Sequence, residues 1–256
     1  LRHARRHLRG WMRPQRRPVS LWFQPGRAQV RYQPLGVVGI IVPWNYPLYL
    51  AIGPLTAALA AGNRALVKMS EFTPATAALL ETLISRHFAA DEVAVVRGDA
   101  EVGQAFSRLP FDHLLFTGST PVGHHVMRAA ADHLTPVTLE LGGKSPNLFF
   151  ADVMDQDDDF FDKALEGFTL FALNQGEVCT CPSRALVQES IADRFMERAV
   201  ARVKKIQLGH PLDTSLAAGH QAKEVGAPDQ RARCAEGDRG HDVGARHDAG
   251  VDEDLR

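Results

Sequence analysis

Apolar residues along this chain fall into short runs that alternate with longer amphipathic stretches. Residues 36–42 contain no polar side chain and predict a buried strand. A polar turn at 43–46 and a buried helix from about Pro47 follow. Gly62-Asn63 ends that helix, because both residues tolerate the left-handed cap position. Strands are then expected at 65–69, 93–96, 113–116 and 137–141. Helices are expected between them, from Thr73-Pro74 to about Phe88, at 101–108, and from Thr120-Pro121 to about His133. In both Thr-Pro pairs threonine serves as N-cap and proline opens the first turn. Alternation of this length means β-α-β units and a parallel sheet with helices on both faces, an α/β fold.

The flanks are less regular. Residues 3–12 read as a basic helix ended by Pro14 and Pro18. Residues 19–23 and 28–32 read as short strands of a hairpin around Pro25-Gly26. Beyond Pro146, a strand at 147–150, an acidic loop at 152–159, an apolar helix at 160–174 and a strand at 185–188 are expected. An amphipathic helix at 191–206 would bury Met196, Ala199, Val200 and Val203. From His220 onward almost nothing can be buried, so a disordered tail is expected. An out-of-frame stretch would have the same composition.

Charge and composition narrow the classes. The first seventy residues hold eleven basic side chains and no Asp or Glu. Mitochondrial transit peptides share that bias. Here Ser20 is the only serine in the first thirty residues, and Trp11, Pro14 and Pro18 favour a solvated basic helix within a folded domain. Residues 32–63 carry no charge, as a membrane span would, but Pro43, Asn45, Pro47 and Pro54 interrupt them. A net charge of −1 leaves no global field for nucleic acid or membrane. Three cysteines, Cys179, Cys181 and Cys234, are too few for a disulfide framework. Their odd number fits a reducing, cytoplasmic setting. The Cys-x-Cys pair and the tail histidines with Cys234 lack metal-ligand spacing, so no metal is expected.

Candidate chemistry lies at the expected strand ends, where open α/β sheets bind ligands. Cys179, on a glycine-bearing turn, is a candidate nucleophile, and Glu140 in Leu-Glu-Leu-Gly-Gly a candidate base. Equally, Cys179 reads as a small hydrophobe and the glutamate run as a strand ending in a turn. Asn45, in Pro-Trp-Asn-Tyr-Pro, offers an amide N–H to an oxyanion, or satisfies its own turn. Lys68 and Glu71, flanking Ser70, could bracket two ribose hydroxyls, or form a surface ion pair. A carboxylate there repels a 2′-phosphate and favours NAD over NADP. Gly118 and Gly123, around Ser119, could admit a phosphate to a helix N-terminus, or serve strand–helix packing. Neither the G-x-G-x-x-G fingerprint nor a P-loop lysine is present.

Together, Leu-Glu-Leu-Gly-Gly-Lys-Ser-Pro and Asn-Gln-Gly-Glu-x-Cys make residues 1–215 resemble the aldehyde dehydrogenase superfamily. Residues before about 146 are most similar to its coniferyl-aldehyde branch, and those after it to its acetaldehyde-type branch. The resemblance implies Cys179 as nucleophile, Glu140 as general base and Asn45 as oxyanion donor with the Cys179 backbone N–H. It places the adenosine ribose at Lys68 and Glu71, the pyrophosphate at Ser119, and Trp44 and Leu141 beside the cofactor. It further implies a Rossmann-like NAD-binding domain at 36–141, with NADP possible, after a basic helix and hairpin at 1–35. A partial catalytic domain at 142–215 and the 216–256 tail would follow, the chain being truncated at both ends relative to the family. The substrate would be a small-molecule aldehyde, and the family usually forms homodimers or homotetramers through an oligomerisation strand that the resemblance finds missing here. An inactive fragment is a second reading. A cysteine hydrolase using His113, His124 or His125 as base is a third.

Overall fold

The charge-free run divides into a strand and a helix. The computed structural model describes residues 1–170, 176–206, 208–209 and 221–222. Within it β3 (Val37–Ile41) leads through the 42–46 turn into α2 (Pro47–Ala60). Gly62 takes the left-handed cap with φ +82°. Asn63 beside it is buried, accepting from Leu35 N (2.6 Å) and Gly36 N (3.0 Å) and donating to Ala58 O (3.3 Å). The helix end is thus tied to the start of the strand that feeds it. No helix among the described residues is long and apolar enough to cross a membrane.

β4 (Arg64–Lys68), α3 (Pro74–His87), β5 (Val93–Val96), α4 (Ala100–Ser107), β6 (His113–Gly118), α5 (Thr120–Ala131) and β7 (Val137–Leu141) complete the alternation. The five strands form one parallel sheet in the order β5-β4-β3-β6-β7. Side chains alternate between its faces. Val38, Ile40, Val42, Ala65 and Val67 join Leu55 of α2 and Leu80 and Ile84 of α3 in one core. Leu114 and Phe116 join Phe106 of α4, Phe111 and Val126 of α5 in the other. Gly39 has no side chain because Phe111 and Leu114 occupy its space; a Cβ there would lie 2.7 Å from the Phe111 ring.

Several expectations are corrected. Residues 19–23 are not a strand. Leu21–Phe23 is a 3-10 turn, and Ala28–Val30 (β2) pairs antiparallel with Gln15–Arg17 (β1). Leu21, Trp22 and Phe23 therefore have no sheet face to bury, and Trp22 is 91% exposed. Thr73 holds the N-cap position of α3, but its hydroxyl donates to Ser70 O (3.4 Å) and caps nothing. Ser119, not Thr120, is the N-cap of α5.

Contacts divide the chain into two units, residues 1–148 with 177–186, and 149–176 with 187–256. β8 (Pro146–Phe149) and β9 (Arg184–Val187) form a two-stranded sheet. In the second unit α6 (Asp159–Thr169) begins at Asp158, whose carboxylate accepts from Phe160 N and Phe161 N. Its core packs Phe149, Phe161, Leu165, Phe195 and Ala199. α7 (Ala192–Val203) therefore buries Phe195 and Ala199, while Met196 and Val200 of the expected stripe are exposed. The expected end of the 160–174 helix, Cys234 and most of the 216–256 tail lie outside the described residues. Of that tail, Gln221–Ala222 pairs in parallel with Leu208–Gly209.

Candidate active site

The order β5-β4-β3-β6-β7 leaves β3 in both directions, so chain order reverses between β3 and β6. Open α/β sheets bind ligands at the carboxyl ends beside such a reversal. Asn45 follows β3, Lys68 ends β4, Gly118 ends β6 and Leu141 ends β7.

Asn45 is half-buried and reaches the cysteine turn. Its Nδ2 donates to Glu177 O at 2.8 Å, across 132 positions of sequence. Two residues on, Cys179 is an exposed free thiol. It lies in a turn closed by Cys181 N donating to Val178 O (3.1 Å), after Gly176 at φ +77°. The amide has two protons. One of them holds the turn. Trp44, half-buried, precedes Asn45 on the same turn.

Lys68 is the buried charge of the site, its side chain 4% exposed beside Glu71 at 36%. Its Nζ donates to Met69 O (2.7 Å) and Gly98 O (2.9 Å) and lies 4.0 Å from Glu71. Burial pushes its pKa down, while the Glu71 and Asp99 carboxylates pull it up. Two of its three protons go to main-chain carbonyls, so the third and the Glu71 carboxylate form a donor–acceptor pair suited to adjacent hydroxyls. Ser70 is buried, and its Oγ accepts from Phe72 N (3.3 Å), which shapes the turn carrying Glu71.

The 118–123 segment passes from strand to helix within two residues. Gly118 is the last strand residue, Ser119 the exposed N-cap and Thr120 the first helical residue. Its glycines serve packing. A Cβ on Gly123 would lie 2.7 Å from Leu141 Cδ2, and one on Gly118 would lie 2.5 Å from the Phe116 ring. Leu141 thus packs on α5, and Gly142 N donates to Gly118 O (3.2 Å). Glu140 is exposed near the end of β7, in register with Thr117.

Three histidines could serve a hydrolase. His113 Nε2 lies 2.9 Å from Thr138 Oγ1 between β6 and β7, and His124 and His125 are exposed on α5. Among the described residues no three His, Cys, Asp or Glu are grouped to hold a metal. Two contributors were not foreseen. Asp99 caps α4, accepting from Glu101 N (3.0 Å) and Val102 N (3.2 Å), and its Asp-Ala-Glu start was a readable N-cap signal. Arg184 Nε donates to Lys144 O (2.8 Å), which no local pattern announces.

Known proteins resemble this chain in sequence and fold. The model of the aldehyde dehydrogenase family matches residues 3–238. A long-chain-aldehyde dehydrogenase of an Acinetobacter species is 54% identical over 219 residues, which is 85% of this chain and 44% of the relative. A probable coniferyl aldehyde dehydrogenase of Pseudomonas aeruginosa is 55% identical over 210 residues, 82% of this chain and 42% of the relative. Among solved structures, a betaine aldehyde dehydrogenase variant of Staphylococcus aureus in complex with NAD+ superposes with TM-score 0.71 at 33% identity, over 83% of this chain and 41% of that one. The chain therefore spans less than half the length of the relatives it matches.

Proposed function

The chain belongs to the aldehyde dehydrogenase family, and we propose that it carries the cofactor sheet and nucleophile turn for oxidising an aldehyde to a carboxylic acid with NAD(P). The observation that carries this reading is the Asn45–Glu177 hydrogen bond. It ties Asn45, just past β3, to the chain two residues before Cys179, which supports reading the two as oxyanion donor and nucleophile.

The residues present fit the cofactor. Lys68 and Glu71 would hold the adenosine ribose, with Ser70 shaping their turn. Ser119 at the α5 N-terminus would meet the pyrophosphate, where free N–H groups favour an anion, while Gly118 and Gly123 let the strand and α5 pack close. Trp44 and Leu141 would flank the cofactor. NAD is favoured over NADP because Glu71 repels a 2′-phosphate. When bound, the cofactor supplies the hydride acceptor.

In the proposed reaction the Cys179 thiolate attacks the aldehyde carbon. The resulting thiohemiacetal oxyanion is held by the Asn45 amide and the Cys179 N–H. Loss of hydride leaves a thioester on Cys179. Glu140 takes a proton from water, and the water oxygen displaces the thiolate as a carboxylic acid. The chemistry requires a reduced thiol and hence a reducing compartment, so a cytoplasmic location belongs to the proposal. So do homodimeric or homotetrameric assembly and a coniferyl-like or aliphatic aldehyde. A second reading follows from the chain's 44% share of its relative: this chain alone binds NAD without turnover.

Two measurements test the proposal. Thermal unfolding should shift upward with NAD, by about 2.7 kcal/mol of added stability at a hundred times Kd; no shift with NAD or NADP removes both cofactor readings. Cys179→Ala, placed in a full-length relative, should abolish NADH formation. Near-normal NADH production from that variant excludes Cys179 as nucleophile.

A further inference from the structure

We propose that Arg184 is a positioning residue that ties the exit of the Glu140 strand to the exit of the Cys179 turn. The proposal rests on the reading of Cys179 and Glu140 given above.

β7 ends at Leu141, and residues 142–145 that follow are exposed. A Cβ on Gly142 or Gly143 would meet nothing within 4 Å, so packing does not fix this segment. Hydrogen bonds to its main chain do. At its start Gly142 N donates to Gly118 O (3.2 Å). At its end Lys144 O accepts from Arg184 Nε (2.8 Å) and Ser145 O from Arg184 N (3.4 Å). One residue thus holds two consecutive carbonyls, 40 positions away in sequence for the side-chain bond.

Arg184 lies five residues after Cys179, and Asn45 anchors the chain two residues before it. The thiol turn is therefore held on both sides. Asn45 ties it to β3, and Arg184 ties it to the segment that leaves Glu140. The two anchors serve different halves of the chemistry. Forming the thioester needs the thiol and the oxyanion donor. Hydrolysing it needs the carboxylate base at a fixed place relative to the thioester carbon. Loss of Arg184 should fall on hydrolysis.

An activated ester separates the steps without cofactor. The Cys179 thiolate attacks p-nitrophenyl acetate, nitrophenolate leaves, and an acetyl thioester remains. Glu140 then takes a proton from water, the oxygen adds to the acetyl carbon, the C–S bond breaks, and acetate leaves. Full-length wild type, Arg184→Met, Arg184→Lys and Cys179→Ala chains are compared by stopped flow. Arg184→Met should keep a burst of one nitrophenolate per chain while its steady-state rate falls roughly tenfold or more, as small misplacements do. Arg184→Lys, with a donor for Lys144 O, should recover most of that rate. An unchanged steady state in Arg184→Met overturns the proposal. So does equal loss of burst and steady state, or loss of the fold without rescue in Arg184→Lys. Amide hydrogen exchange is the independent readout: Arg184→Met should speed exchange in both 142–145 and 180–183. A rise confined to the neighbours of 184 overturns the tie. A wild-type burst that survives in Cys179→Ala, or no burst at all, refutes the nucleophile reading instead, and the exchange data then still decide whether Arg184 joins the two segments.

Discussion

Replacing Asn45 with alanine removes two things that differ greatly in size. The first is the bond from Nδ2 to Glu177 O, 2.8 Å long and half-buried. A neutral hydrogen bond of this kind contributes about 1 kcal/mol net. Its loss loosens the Cys179 turn by a factor of about five in an opening equilibrium. The second is the oxyanion donor, whose removal typically costs on the order of 10²–10³ in rate. Two reactions of Cys179 tell them apart. Ester acylation passes through a tetrahedral oxyanion, whereas alkylation by iodoacetamide is a direct displacement and forms none. Both are read at Cys179 by peptide mass, which separates it from Cys181. Asn45→Ala should slow acylation by p-nitrophenyl acetate at least a hundredfold and change alkylation by no more than about fivefold. If both reactions change by the same small factor, Asn45 is a tether only, and the oxyanion assignment falls. Equal large losses would mean that the turn has collapsed, and would refute the 1 kcal/mol estimate.

Lys68→Met leaves Met69 O and Gly98 O without their partner, a loss of about 1–3 kcal/mol near neutrality. Because burial lowers the Lys68 pKa below its usual 10.5, the unfolded chain binds more protons than the folded one just below that pH. Wild-type stability then rises with pH through this window, and its margin over Lys68→Met in urea unfolding should widen; a flat or shrinking margin refutes the buried-ammonium account. Gly39→Ala puts a Cβ 2.7 Å from the Phe111 ring and 2.8 Å from Leu114 Cδ1, so urea unfolding should show a loss of about 2–3 kcal/mol, and an unchanged midpoint would show that the face has room. Asp99→Ala removes the α4 cap for about 1 kcal/mol, whereas Asp99→Asn keeps the cap and only removes the charge facing Lys68; equal Tm losses in the two would show that the charge, not the cap, matters.

The sheet was legible because its central strands are largely buried on both faces. Such strands must be apolar throughout, as in the Val37–Ile41 run, and each helix between them needs a start and a stop that leave marks, as Pro47, Pro74 and Gly62 do. The same logic misled where nothing is buried. Leu21, Trp22 and Phe23 have strand-like composition, but β2 pairs with arginine-bearing Gln15–Arg17 in a ribbon whose faces are both exposed. Periodicity also leaves a helix's phase open by one residue. In α7 the choice falls to Phe195, whose ring lies 4.5 Å from that of Phe149 and 5.7 Å from that of Phe168. A stripe through Met196 and Val200 would leave that aromatic cluster without its centre.

The site divides along the same line. Residue types at strand ends follow from the local pattern, because a polar residue just past a buried strand has reached the sheet's carboxyl edge. That is why Asn45, Lys68 and Glu140 could be singled out from the chain alone, whereas Cys179 stood out by its glycine-bearing turn. Which of them touch is a property of pairs. Asn45 and Glu177 are 132 positions apart, and Arg184 and Lys144 are 40. In each case the acceptor is a main-chain carbonyl, which every residue has, so no side-chain type marks it in advance. Gly118 and Gly123 show the converse. Their spacing suits a phosphate turn, yet the space they free is taken by Phe116 and Leu141. Close packing of α5 on the sheet and approach of a phosphate to its N-terminus demand the same small residues, and only coordinates separate them. Here packing accounts for both glycines, so the pyrophosphate assignment rests on Ser119 and the α5 N-terminus, not on the glycines that first suggested it.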